Sequence, residues 1–111
     1  MRIKDLFEKK KHLISFEIFP PNKNFSVEKL KDVTDELVQY KPDFISVTYG
    51  AGGKTKGGTI EMASHIKNNL KTEVLAHLTC VGSKKSEIND YLQEAKKCNI
   101  KNILALRGDV P

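Results

Sequence analysis

Long apolar runs are missing from this chain. No stretch approaches the ~20 residues that a membrane helix needs, which argues against a membrane-spanning class. The start, Met1-Arg2-Ile3-Lys4-Asp5-Leu6, mixes charges of both signs and lacks the apolar stretch of a secretory signal. We therefore expect a cytoplasmic protein. Cysteine is also scarce. Cys80 and Cys98 are the only two, and neither lies in a Cys-x-x-Cys pair. No disulfide framework or zinc site is expected, and both read as free thiols. His12 and His65 have no acidic neighbours at ligand spacing, so no metal centre is expected. Acidic residues are outnumbered, 14 against 19 basic, for a net charge of +5. The lysines are spread along the whole chain, and the densest group, Lys9-Lys10-Lys11, is too short for a nucleic-acid-binding arm. A solvated basic surface that attracts anionic ligands is the better reading, with no nucleic acid and no membrane as partner. With 39% hydrophobic and 30% charged residues, the chain falls among globular rather than disordered proteins, and 111 residues suffice for one small domain.

What is present is a repeated strand pattern. Four segments read as strands: Leu13–Phe19, Phe44–Thr48, Val74–Thr79 and Ile103–Leu106. They begin roughly 30 residues apart, the length of one βα unit. Between them lie three helical patterns. The first is capped by Ser26, runs to about Tyr40 and has Val27, Leu30, Val33, Leu37 and Val38 as its apolar stripe. The second carries Ile60, Ala63, Ile66 and Leu70. The third, from about Lys84 to Lys97, uses Ile88, Leu92 and Ala95. A short amphipathic helix over residues 2–11 precedes the first strand, with Ile3, Leu6 and Phe7 to cover the floor of a barrel or the edge of a sheet.

Alternating strands and helices imply a parallel sheet with right-handed crossovers. Strand alternation places Ile14, Phe16, Ile18, Ile45, Val47, Val74, Ala76 and Leu78 toward the helices. The opposite face then carries Ser15, Glu17, Ser46, Thr48, His77 and Thr79. An open doubly wound sheet would want aliphatic residues on that face, whereas a barrel with a site in its upper interior tolerates polar ones. The expected fold class is therefore α/β, a partial (βα)8 TIM barrel of about four βα units with parallel strands in order 1-2-3-4. A full barrel needs ~250 residues, so residues 1–111 read as its truncated N-terminal portion. Such a half-barrel, taken alone, is expected to be poorly soluble or self-associating, because its edge strands are open.

Each strand delivers polar residues to its C-terminal end, where parallel α/β folds bind ligands. Glu17 precedes Phe19-Pro20-Pro21. Its neighbours Phe16, Ile18 and Phe19 suggest a desolvated carboxyl, raised in pKa and suited to donating a proton; an edge carboxylate in water is the alternative. Gly50-Ala51-Gly52-Gly53-Lys54-Thr55 invites a phosphate-loop reading, but residue 48 is threonine where that motif needs glycine, and Gly57-Gly58 oppose a helix starting there. A flexible loop folding over a cofactor stays open. Arg107-Gly108-Asp109 contains the letters of an adhesion tripeptide. It reads better as a strand-end turn with one cation for a phosphate or electron-rich ring and one anion for the N–H groups of a heterocycle. A mutual ion pair at the turn is the alternative. His77, alone on its strand, reads more readily as structural than catalytic.

Four of these motifs taken together, Ser15-Phe16-Glu17-Ile18-Phe19-Pro20-Pro21, Ile45-Ser46-Val47-Thr48-Tyr49-Gly50-Ala51-Gly52-Gly53, Ala76-His77-Leu78-Thr79-Cys80 and Ala105-Leu106-Arg107-Gly108-Asp109-Val110-Pro111, resemble the methylenetetrahydrofolate reductase family in order and interval. The resemblance implies a (βα)8 flavoprotein carrying FAD, with NADH or NADPH as electron donor and 5,10-methylenetetrahydrofolate as the substrate reduced to 5-methyltetrahydrofolate. It also implies a homo-oligomer at full length. By resemblance, Glu17 matches the general acid that helps open the folate's five-membered ring, and Asp109 the carboxylate that engages the pterin and adjusts the flavin's electrostatics. Thr48, Tyr49, Ala51, His77, Leu106, Arg107, Gly108 and Asp109 match positions at the flavin. The loop departs from the family at Lys54-Thr55-Lys56-Gly57-Gly58-Thr59, where relatives commonly carry an arginine near Lys56 and no Gly-Gly pair. A second functional class is a non-catalytic α/β nucleotide- or phosphate-binding module, or a half-barrel that assembles with another chain.

Overall fold

The fold is that of a computed structural model, which describes residues 2–22, 24–49 and 56–109. Helix α1 (Ile3–Lys9) leads into strand β1 (Ser15–Ile18). Helix α2 (Val27–Leu37) is followed by a 3₁₀ turn (Val38–Tyr40) and strand β2 (Phe44–Val47). Helix α3 (Lys56–Ser64) continues as a π-helical turn (His65–Asn69), after which come β3 (Val74–Thr79), α4 (Lys85–Lys97) and β4 (Ile103–Leu106). The four strands form one parallel sheet in order β1-β2-β3-β4. That order, with crossover helices between neighbours, is the four-unit α/β arrangement of a partial barrel. No helix among the described residues is long and apolar enough to cross a membrane.

Local chemistry explains the helix limits. Ser26 caps α2 by accepting from the Lys29 N–H at 3.2 Å, satisfying one of the donors a helix start leaves open. Glu87 does the same for α4, its carboxylate accepting from the Lys84 N–H at 3.2 Å. Lys41, in a left-handed conformation, ends the turn after α2. Contrary to expectation, α3 starts at Lys56 and runs through Gly57 and Gly58. The low helix propensity of glycine, about 1 kcal/mol per residue, is overridden by packing. A Cβ on Gly58 would stand 3.1 Å from Pro21 Cδ and 3.3 Å from Pro20 Cβ, so the bare backbone lets α3 lie against the proline pair that follows β1. A helix start here removes one ground against the phosphate-loop reading; Thr48 in place of its first glycine remains.

A single apolar cluster joins the helices to one face of the sheet. Ile18, Ile45, Val47, Val74, Ala76 and Leu78 meet Leu30, Ile60, Met62, Ala63, Ile66, Tyr91 and Ala95. The helical stripes differ in part from the spacing-based expectation. On α2, Thr34 is fully buried and Val33 is exposed; Thr34 donates to the Lys31 carbonyl at 2.9 Å, which lets its hydroxyl enter the core. On α4, Tyr91 takes the core position and Leu92 faces solvent. On α1, Ile3 is buried and Phe7 exposed. Ile14 is likewise exposed, because β1 begins only at Ser15 and the residue before it escapes strand alternation.

Candidate functional site

The face of the sheet turned away from the helices is the polar one. Paired positions in a parallel sheet present their side chains on the same side, so register groups Glu17 with Ser46, His77 with Leu104 and Thr79 with Leu106. The first contact across this face is short. Ser46 Oγ–H donates to Glu17 Oε1 at 2.7 Å. His77 Nε2 stands 3.6 Å from the same oxygen, near enough for charge attraction and too far for a good hydrogen bond. Ser46 and His77 are both buried, at 5% and 9% exposure.

Glu17 itself is not desolvated as expected: its side chain is 61% exposed. Phe16 and Ile18 pack into the helix-side core, so alternation turns Glu17 to the polar face, and β1, the end strand of these four, gives it a strand neighbour on one side only. Flanking apolar residues on a strand bury the opposite face, not the residue between them.

The supports behind the site come from the helices. Thr59 of α3, fully buried, donates to the Thr48 carbonyl at 2.9 Å and ties the helix to the end of β2. Tyr91 of α4 donates to the His77 carbonyl at 2.7 Å. Its ring lies 5.7 Å from that of Tyr49. Burial pushes the Tyr91 phenol well up, with the Tyr49 phenol adding to the effect. Burial likewise raises Tyr49, with a smaller push from Cys80. Both phenols thus stay protonated at neutral pH, and Tyr91 is a constant donor to the strand that carries His77.

At the end of β4, Leu104 and Leu106 are each 39% exposed and form an apolar strip beside His77 and Thr79. Gly108 has φ +97°, and a Cβ there would strike Thr79 Cγ2 and come within 2.6 Å of Val81 Cγ1. Glycine is needed at this turn both for its dihedral and for its closeness to β3. Arg107 is exposed and donates to the Gly108 carbonyl at 3.4 Å. Among the described residues no ion pair joins Arg107 to Asp109, which also lies exposed, so the mutual-salt-bridge alternative is not adopted.

The structure therefore brings Glu17, Thr48, His77, Leu106, Arg107, Gly108 and Asp109 to the C-terminal ends of four neighbouring strands, with Tyr49 immediately after Thr48. Ala51 lies outside the described residues, as does most of its glycine-rich loop. Sequence reasoning placed Ser46 on the polar face with Glu17 and Thr48 but gave it no role, and it did not single out Thr59 or Tyr91. The other two act from helices, and nothing local marks their partners. Cys80 and Cys98 are free thiols, and no group of three or more potential metal ligands occurs among the described residues.

Comparison with known proteins identifies the family. The family model for methylenetetrahydrofolate reductase matches residues 2–111. The chain is 41% identical over 110 residues to "Methylenetetrahydrofolate reductase (NADH) 1" of Arabidopsis thaliana, covering 99% of this chain and 19% of that protein. It is 37% identical over 98 residues to "5,10-methylenetetrahydrofolate reductase" of Pectobacterium carotovorum subsp. carotovorum and 36% to the Escherichia coli (strain K12) protein of the same name, in each case covering 88% of this chain and 33% of the relative. The chain thus spans between about a fifth and a third of the length of these curated relatives.

Proposed function

Because this chain belongs to the methylenetetrahydrofolate reductase family, we propose that residues 1–111 are the N-terminal part of a (βα)8-barrel enzyme that reduces 5,10-methylenetetrahydrofolate to 5-methyltetrahydrofolate with FAD and a reduced nicotinamide cofactor. The observation that carries this reading is the cluster of Glu17, Ser46 and His77 on the polar sheet face, next to an open apolar strip and an exposed cation. That set suits a flavin nucleotide. A flat ring system with a polar edge takes apolar contact from Leu104 and Leu106 and hydrogen bonds from Thr48 and His77, and Arg107 supplies positive charge for a diphosphate. We assign Thr48, Tyr49, Ala51, His77, Leu106, Arg107 and Gly108 to this cofactor.

FAD, when bound, supplies the hydride that the nicotinamide has delivered to it. The chain's own residues handle the rest. Glu17 is the general acid for opening the folate ring. Ser46 holds one of its oxygens. Asp109 would accept hydrogen bonds from the pterin N–H groups and would place a negative charge beside the flavin. The names of the plant relatives mention NADH, which supports NADH as the donor.

The test uses the full-length protein that carries this segment. Purified protein should be yellow and release flavin on denaturation. Anaerobic stopped-flow should show flavin reduction by NADH, then reoxidation by methylenetetrahydrofolate. A colourless, folded protein that binds nucleotides without turnover would replace this reading with the non-catalytic module.

A further inference from the structure

We infer that Ser46 is a positioning residue that fixes the Glu17 carboxyl and selects Oε2 as the oxygen that carries the transferable proton. The inference rests on the reductase reading above and concerns a residue that the family motifs did not bring forward as functional.

The two carboxyl oxygens of Glu17 are not equivalent. Oε1 takes the Ser46 hydroxyl at 2.7 Å and has His77 Nε2 at 3.6 Å. Among the described residues Oε2 has no such contact. A hydroxyl at 2.7 Å is a full-strength donor, whereas 3.6 Å lies outside hydrogen-bond range, so Ser46 rather than His77 sets the orientation. Geometry favours this division further. Ser46 is buried on β2, between β1 and β3, so its hydroxyl is held in place by its surroundings. A glutamate side chain has several rotamers, and an unrestrained one would spend little time facing a substrate.

With Oε1 engaged as an acceptor, the proton of the acid form resides on Oε2 and points to the open side of the sheet. In the ring-opening step, one C–N bond of the folate's five-membered ring breaks. Its electron pair stays on the departing ring nitrogen, that nitrogen receives the Oε2 proton, and the products are the Glu17 carboxylate and a substrate iminium. The Ser46 hydroxyl, already aimed at the carboxyl, bonds more strongly to the carboxylate so formed. It thereby stabilises the product side of the proton transfer without reorganising. The titratable group facing this carboxyl from the packed strands is His77 of β3, while β2 contributes the neutral Ser46.

Substitution of Ser46 in the full-length enzyme tests this. The parent is assayed first, and a parent that does not reduce methylenetetrahydrofolate overturns the reductase reading and this inference with it. Given an active parent, Ser46→Ala should slow flavin reoxidation by methylenetetrahydrofolate about 10- to 100-fold, the scale of a misplaced catalytic group. Flavin reduction by NADH should be unchanged. Ser46→Thr and Ser46→Val separate the hydroxyl from side-chain shape: threonine should restore most of the rate and valine should not. Folate reduction at parental rate in both Ser46→Ala and Ser46→Val would overturn the inference. So would equal slowing of both half-reactions, which would mark Ser46 as merely structural.

Discussion

The two ends of the sheet are built on opposite plans. At the N-terminal end of the strands, polar groups are paired with one another. Glu73 accepts from Lys67 Nζ at 2.8 Å and from Asn102 Nδ2 at 3.1 Å, and Asn102 Oδ1 accepts from the Ile3 N–H at 2.9 Å. One short network thus links the π turn after α3, the starts of β3 and β4, and α1. Asp43 repeats the device on the other side, joining Lys10 to the backbone of Ile14. At the C-terminal end, Arg107 and Asp109 are exposed and the carboxylate of Glu17 is held by one of its two oxygens. Closure at one end gives stability, and unfilled hydrogen-bonding capacity at the other gives a place for a ligand. Parallel βα folds separate these roles because their strand-to-helix loops all emerge on one side.

The separation can be broken at either end. Glu17→Gln in the full-length enzyme should lower folate reduction by about 10²–10⁴, a typical general-acid factor, while NADH-dependent flavin reduction and the melting temperature stay near parental values. Loss of thermal stability on this change would show that the open end also supports the fold. Lys67→Met should have the converse signature. Lys67 and Glu73 side chains are only 15% and 9% exposed, so removing the cation leaves a buried carboxylate short of its partner, at about 3 kcal/mol. Denaturant unfolding should register that loss, with the flavin half-reactions intact in whatever fraction remains folded. Gly108→Ala sits between the two, since its Cβ would press on Thr79 and Val81 and adopt a disfavoured dihedral. We expect a cost of about 1–3 kcal/mol together with reduced flavin occupancy, read by the flavin-to-protein absorbance ratio.

The smallest expected effect is a graded one with pH. Burial alone would raise the Glu73 carboxyl, but the hydrogen bonds and positive charge around it, those of Lys67 foremost, outweigh it and hold it below its ordinary value. The Lys10 hydrogen bond, with the Ile14 backbone, lowers Asp43 in the same way. A carboxyl whose folded pKa is depressed stabilises the fold above its unfolded value, here 4.5 for Glu73 and 3.8 for Asp43. That contribution is lost as pH falls through the lower, folded values. Acid should therefore loosen the closed end first. Hydrogen exchange of the Ile3 and Ile14 amides should accelerate below about pH 4.5 before that of the β2 and β3 amides; simultaneous acceleration would mean that the closed end is not an independent acid-sensitive unit.

Much of the framework was legible along the chain. The limits of β3 and β4 agree with the sequence pattern residue for residue, and strand order follows from the regular spacing of the units. Within the strands alternation assigned the polar and apolar faces correctly, because its period of two is a property of the backbone itself, and it failed at Ile14, which precedes β1. Where reading along the chain failed, the determining contact came from elsewhere. Burial of Glu17 was inferred from residues beside it in sequence, which strand geometry sends to the other face. A helix break was inferred from Gly57-Gly58, whereas the proline pair after β1 favours a bare helix surface at that position. Tyr91 replaced Leu92 in the core because its hydroxyl finds the His77 carbonyl.

The set of elements, their order, and the delivery of Glu17, Thr48, His77 and Arg107-Gly108-Asp109 to strand ends follow from local periodicity and from residues that stop strands. Long-range packing sets the rest: Ser46 grips one oxygen of Glu17, Tyr91 and Thr59 brace the strands from behind, and Glu73 closes the opposite end. Each of these is a contact between residues 11 or more positions apart, except for the Lys67–Glu73 bridge across one turn. Register and packing set such distances to a few tenths of an ångström, a scale that no local pattern encodes.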